Sequence, residues 1–207
     1  MCMGDMMEIM KFTLGNLRSN CYIVSEGMKA LVIDPGYESD EVIHYIRDNQ
    51  FILEGIYLTH GHPDHVGGVK QIKELFDVPV YAPKKDQVWL TLSPYNQLGY
   101  EIPVDVWVKD YDELRFIDKI FTVYETPGHS EGGTVLHVDR TLFTGDTLFF
   151  QSIGRTDIPF SNSILIYHSI KRIYQLFLDD VVIYPGHGKS STLGHEKKFN
   201  PFVQMKK

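Results

Sequence analysis

From Thr59 to His65 the chain reads Thr-His-Gly-His-Pro-Asp-His, three imidazoles and a carboxylate within seven residues. All four side chains are metal-ligand types, and the run reads as part of a binuclear metal site. It constrains the fold because it cannot close such a site alone: two ions take roughly four to five ligands each, so distant loops must return to it. Three candidates answer: His129 in Thr126-Pro-Gly-His-Ser130, Asp146 in Phe143-Thr-Gly-Asp-Thr-Leu148 and His187 in Tyr184-Pro-Gly-His-Gly188. Each follows an apolar, β-branched or aromatic run that reads as a strand, and each stands beside a glycine that permits a tight turn. The candidates therefore fall at strand ends, where loops on a rigid sheet carry function. Imidazole nitrogen and carboxylate oxygen suit zinc, and also iron or manganese, better than magnesium or calcium, which prefer all-oxygen surroundings.

Around these loops the pattern is one of short apolar runs. Glu8 to Leu14, Asn20 to Val24 and Ala30 to Ile33 read as a strand meander punctuated by Gly15, Gly27 and Pro35-Gly36. Ser39 or Asp40 caps a helix over Glu41 to Asn49 with Val42, Ile43 and Ile46 in one stripe. A buried strand, Ile52 to Leu58, a helix, Val66 to Phe76, and a strand, Val78 to Tyr81, make a β-α-β unit. Pro83 to Tyr100 has weak periodicity and reads as an irregular, partly helical segment near the site mouth. Further strands are expected around Val104 to Val108, Glu113 to Phe116, Phe121 to Tyr124, Gly133 to Val138, Thr141 to Phe143 and Val181 to Tyr184. The helix before the last strand runs from about Asn162 to Phe177, with Ile166, Ile170, Ile173 and Phe177 three and four apart. Two batches of strands, each closed by helices, fit a two-sheet sandwich with helices outside.

A chain of 207 residues, 43% hydrophobic and 23% charged, is expected to form a single domain over 1–207 with a sizeable core. The net charge of −7 gives no basic footprint for nucleic acid. Met1 to Met10 carries Asp5 and Glu8 and lacks a basic-then-apolar leader pattern. No apolar run approaches the roughly 18 residues a bilayer requires, so neither nucleic acid nor membrane is expected as a partner and a cytoplasmic location is. Cys2 and Cys21 imply no disulfide framework, and Cys21 reads as a buried free thiol. No Walker-type loop or Gly-x-Gly-x-x-Gly fingerprint points to a nucleotide.

The ordered set His60-x-His62-x-Asp64-His65, then His129, Asp146 and His187, resembles the metallo-β-lactamase superfamily. The segments Thr144-Gly-Asp-Thr-Leu-Phe149, Ser152-Ile-Gly-Arg-Thr-Asp157 and Tyr184-Pro-Gly-His-Gly188, with Asn200-Pro-Phe202 downstream, look like the small glyoxalase II-like hydrolases within it. The resemblance spans nearly the whole chain. It implies an α+β or α/β fold of the four-layer αββα metallo-β-lactamase kind. It also implies two divalent ions, zinc first and iron or manganese as alternatives, with His60, His62 and His129 on one, Asp64, His65 and His187 on the other, and Asp146 bridging them. The two ions would lie about 3.5–4 Å apart.

The chemistry expected from that resemblance is thioester hydrolysis of an S-acyl thiol such as hydroxyacylglutathione. A bridging hydroxide attacks the acyl carbon, a metal polarises the carbonyl, and Asp64 helps hold the nucleophile. Arg155 stands where glutathione-binding members carry a basic residue for the peptide portion; its other reading is a brace paired with Asp157. Thr156-Asp157 replaces an aromatic of those members, and the appended helical C-terminal region that supplies further contacts is not expected here, so a wider thioester range follows. Asp34, in Ile33-Asp-Pro-Gly36, reads either as an acceptor orienting a ligand imidazole or as a turn residue. Thr59 reads as bonding within its own loop, and His44, His137, His168 and His195 as non-ligands. Competing functions are a mononuclear iron persulfide dioxygenase using His60, His129 and Asp146, hydrolases of lactones, β-lactams or phosphodiesters, and a non-catalytic metal-stabilised binding protein.

Overall fold

A computed structural model describes residues 7–203 of the chain; Cys2 and Asp5 lie outside the described residues. The first sheet runs β1 (Glu8–Leu14), β2 (Ser19–Glu26), β3 (Lys29–Ile33), β4 (Ile52–Tyr57), β5 (Val80–Pro83) and β6 (Val106–Val108), side by side in chain order. β1 to β3 form the antiparallel meander, and β3 to β6 are parallel. α1 (Asp40–Asp48), capped by Ser39, makes the first crossover. α2 (Pro63–Val66) and α3 (Val69–Phe76) lie in the second, and the third holds a 3-10 turn, Lys84–Asp86, and α4 (Gln87–Leu90).

The second sheet contains β7 (Glu113–Phe116), β8 (Lys119–Glu125), β9 (Thr134–Val138) and β10 (Thr141–Gly145) as an antiparallel run. A small hairpin, β11 (Leu148–Phe149) with β12 (Ser152–Ile153), follows it. α5 (Ser163–Leu176), capped by Asn162, crosses to β13 (Val182–Pro185), which lies parallel to β10; β14 (Ser191–Thr192) and α6 (Leu193–Phe199) complete the fold. This is a mixed α/β sandwich of two six-stranded sheets with helices outside, as the sequence leads one to expect.

Strand periodicity of two explains the layers, because alternate side chains leave opposite faces. From β2, Cys21 and Ile23 enter a core with Val42, Ile46, Val69 and Ile72 of the helices, while Tyr22 and Val24 enter the core between the sheets. β3 splits the same way, Ala30 and Val32 outward, Leu31 and Ile33 inward. In the second sheet Leu136 and Phe143 face inward, and Val135 and Leu142 pack on Ile166, Ile170 and Ile173 of α5. Burial on both faces is why these strands read as near-continuous apolar runs. Phe121 is wholly buried between the sheets. Phe121→Ala is expected to lower stability by about 3–5 kcal/mol in urea unfolding; a loss below about 1 kcal/mol would contradict the packing described.

Three features depart from the sequence expectations. The helix expected over Val66 to Phe76 is interrupted at Gly67-Gly68, where a Cβ would meet Gly36 O at 2.5 Å and Tyr37 O at 2.4 Å. The two glycines let this turn press against the 35–37 loop, a contact that a single sequence window does not contain. The β11–β12 hairpin and β14 have strands of two residues, too short for a periodic signal. α6 escapes pattern reading because its buried residues are Leu193 and Glu196, the latter accepting from Gln151 N, Asn200 Nδ2 and Ser191 Oγ. Among the described residues no helix is long and apolar enough to cross a membrane.

Candidate metal centre

The loops that leave β4, β8, β10 and β13 meet at one end of the sandwich. β4 delivers His60 and His62, and α2 carries Asp64 and His65. His129 lies between β8 and β9, Asp146 just beyond β10, and His187 just beyond β13. His60, His62, His65, His129 and Asp146 are buried, and Asp64 and His187 are half-buried.

Donor atoms gather in two groups, His60 with His62 and His129, and Asp64 with His65 and His187. His62 Nδ1 faces His129 Nε2 at 2.8 Å, and His65 Nε2 faces His187 Nε2 at 3.3 Å. Asp146 reaches both groups: Oδ2 is 3.3 Å from His129 Nε2 and 3.5 Å from His187 Nε2, while Oδ1 is 3.4 Å from His65 Nε2. Asp64 Oδ2 lies 3.3 Å from His187 Nε2 and 3.6 Å from His65 Nε2.

The hydrogen-bond network fixes which nitrogens carry protons. Asp34, an acceptor only, takes Thr59 N at 2.7 Å, Thr59 Oγ1 at 2.6 Å and His65 Nδ1 at 3.1 Å. Because the Thr59 hydroxyl hydrogen goes to Asp34, its oxygen accepts from His60 Nδ1 at 3.0 Å. His129 Nδ1 donates to Arg155 O at 2.9 Å. In their neutral forms, His60, His65 and His129 therefore each turn an unprotonated Nε2 toward the shared space, as metal-binding imidazoles require. Asp34 thus serves as the orienting acceptor, and Thr59 reaches beyond its own loop. A third donor group, Asp34 with His60 and His65, arises from these bonds and not from a further ion site.

Two observations test the fit of a metal. His60 Nε2 and Asp146 Oδ1 are buried without a hydrogen-bond partner, a costly arrangement unless something else fills the space. Electrostatics divides the site the same way. Burial and then the neighbouring imidazoles hold His60 well below the usual histidine range and push His62 down to about 3, so both are neutral. For His65 burial opposes charge, but Asp146, Asp34 and Asp64 outweigh it and raise its pKa to about 10. Three carboxylates there favour positive charge. The His and Asp groups fit a binuclear metal site.

Sequence reading missed Asp86. It is wholly buried and accepts from Gly132 N at 2.6 Å, Ser130 Oγ at 2.7 Å and Gly61 N at 2.8 Å, tying the 59–65 loop to the His129 loop. A Cβ on Gly132 would lie 2.7 Å from Asp86 Oδ1, which explains that glycine. Nothing near Asp86 in sequence marks it, since its three donors lie 25 to 46 residues away. Asp86→Ala leaves those donors unsatisfied at about 1–3 kcal/mol each. It is expected to weaken metal affinity about 10–100-fold in chelator competition; unchanged affinity would limit Asp86 to a packing role. Asn20 and Tyr22 were also missed: Asn20 Nδ2 bonds Pro185 O and Gly188 O at 2.9 Å, and Tyr22 Oη bonds Pro185 O at 2.6 Å, fixing the turn that carries His187.

The centre opens into a cleft of about 840 Å³ whose walls include Leu17, Trp89, Tyr95, Leu98 and Ile158. The irregular segment expected near the mouth thus forms one wall. Arg155 lines the cleft, with Nε and Nη2 donating to Asp157 at 2.7 and 2.9 Å. The other histidines stand apart: His44 and His168 are exposed on helices, His137 packs on Phe177 and His195 stacks on Phe150.

Comparisons with known proteins agree with this geometry. The family model described as the metallo-beta-lactamase superfamily matches residues 14–187. The chain is 34% identical over 200 residues to the hydroxyacylglutathione hydrolase GloC of Haemophilus influenzae, covering 91% of this chain and 94% of that protein. Its fold matches the BLEG-1 B3 metallo-beta-lactamase with a TM-score of 0.87 at 32% identity, covering 96% and 100% of the two chains. It also matches TTHA1623, solved in a di-iron-bound form, with a TM-score of 0.82 at 33% identity over 94% and 100%.

Proposed function

This chain belongs to the metallo-beta-lactamase superfamily, and from that premise we propose that it is a binuclear metal-dependent hydrolase of acyl thioesters. The observation that carries the reading is the convergence of Nε2 lone pairs from His60, His65 and His129, each fixed by a bond at Nδ1, around Asp146, which faces both donor groups. His60, His62 and His129 would hold one ion, Asp64, His65 and His187 the other, and Asp146 both. Two transition-metal ions held there, zinc in the first instance and iron or manganese as alternatives, would supply Lewis acidity and would lower the pKa of water toward about 7.

The chain's own groups do the rest. Asp64 lines the cleft, and although burial works against its charge, the His187 hydrogen bond and the neighbouring imidazoles keep it ionised. Its carboxylate is the acceptor that orients the attacking water. Trp89, packed edge-on against His62 with centroids 4.4 Å apart, shields that flank from solvent. Arg155 O holds the His129 ring, and the rest of Arg155 forms part of the substrate wall. A thiol has a pKa of only about 8.5, so a thiolate leaves without a strong general acid, which favours thioesters over amides.

Metal analysis beside a thioester panel tests this reading. Two ions per chain are expected, with turnover lost on chelation and restored on re-addition of metal. A single iron per chain with oxygen uptake on a persulfide would replace the hydrolase by the dioxygenase reading. Tight metal with no turnover of any ester or persulfide would leave a binding protein.

A further inference from the structure

Resting on the thioesterase reading, we propose that the cleft selects thioesters whose thiol portion is apolar and uncharged over those of anionic peptide thiols such as glutathione. The walls carry the argument. Trp89, Tyr95 and Phe160 form an edge-to-face cluster, with centroids 5.7 Å from Trp89 to Tyr95, 5.8 Å from Trp89 to Phe160 and 4.8 Å from Tyr95 to Phe160. Trp89 and Tyr95 line the cleft, and Ile158 and Pro159 extend the wall toward Phe160. Phe160 has φ +61°, a left-handed backbone that a bulky side chain rarely adopts. Such strain is retained where surrounding structure requires it, often at ligand clamps. Here it coincides with an aromatic ring that is 41% exposed beside Tyr95 at 37%. Exposed aromatic surface of this kind gains by covering an apolar partner.

Charge points the same way. Outside the metal-site residues, Glu38 and Arg155 are the charged groups lining the cleft among the described residues. Arg155 engages Asp157 through two parallel bonds, the geometry it would otherwise offer to a carboxylate of the substrate. A glutathione ester brings two carboxylates and one ammonium at neutral pH. Its carboxylates would meet a guanidinium already paired, an exposed Glu38 and a chain of net charge −7, with no lysine on the wall among the described residues. An uncharged thiol portion encounters no such opposition and covers the aromatic cluster.

The test holds the acyl group constant and varies the thiol in the metal-loaded enzyme. S-benzoyl-N-acetylcysteamine is expected to exceed S-benzoylglutathione in kcat/KM by at least about tenfold. Tyr95→Ala and Phe160→Ala are expected to raise KM for the neutral ester several-fold with little change in kcat. Asp157→Asn, which releases Arg155, is expected to narrow the gap several-fold by improving the glutathione ester. Equal or better turnover of the glutathione ester by the wild-type enzyme overturns the proposal. If no thioester turns over, the hydrolase reading fails, and selectivity is then decided by binding of the unreactive thioethers S-benzyl-N-acetylcysteamine and S-benzylglutathione. Quenching of Trp89 fluorescence in a Trp107→Phe background reports that binding. Tighter binding of the neutral thioether supports the proposal, and tighter binding of the glutathione thioether overturns it.

Discussion

Asp146→Ala is expected to remove bound metal and turnover together, with activity falling by at least about 100-fold, the upper end of what even an outer partner of a metal site costs. Its two oxygens reach His129 in one donor group and His65 and His187 in the other, so one substitution takes a donor from both. His129→Ala takes a donor from the first group alone, and is expected to lower the ion stoichiometry less than Asp146→Ala while still abolishing turnover. Metal content by mass spectrometry, with circular dichroism to establish folding, separates these outcomes. A folded Asp146→Ala protein that keeps two ions would remove Asp146 from the metal-holding set.

Gly186→Ala is expected to do comparable damage without removing any donor. A Cβ there would stand 2.2 Å from Asp146 Oδ1 and 2.7 Å from His65 Cε1, in the middle of the centre and against an imidazole that Asp34 holds in place. Loss of metal binding in a protein of near wild-type fold is the expected result. Gly188→Ala is the matched control. Its φ of +80° makes alanine strained, at about 1 kcal/mol, but nothing lies within 4 Å of the added carbon. It is expected to lower stability slightly and retain metal. Equal metal binding by the two variants would show that crowding at Gly186 is not what the site resists.

Much of this site was legible because its donors are chemically distinctive and sit beside turn glycines. His60, His62, Asp64 and His65 arrive in one run, and His129, Asp146 and His187 each close a strand-like segment. The layers were legible for a similar reason: runs such as Asn20 to Val24 are apolar on both faces, as strands covered on both sides must be. Asp34 was poised between two readings because a turn aspartate and an acceptor for His65 have the same local sequence. The bond to His65 spans 31 residues and chooses between them. Asp86 gave no signal at all, since an aspartate after two lysines resembles a solvated surface turn until Gly61, Ser130 and Gly132 close over it. Arg155 keeps both of its readings, since its guanidinium pairs with Asp157 while its side chain lines the cleft.

Residue chemistry and period by themselves pointed to two batches of strands closed by helices, to seven donor-type side chains beside turn glycines and to the kind of ion such donors suit. These are written in what each side chain can coordinate and in which face of a strand it must leave. The four-layer architecture and the grouping of the donors came from the family resemblance. Tertiary structure alone decided which nitrogen of each imidazole is free, which buried carboxylates hold the loops, where a glycine admits no methyl group and how the cleft is walled. Each of those depends on contacts between segments far apart in the chain, and hydrogen-bond direction and steric exclusion exist only once those segments have been brought within a few ångströms of one another.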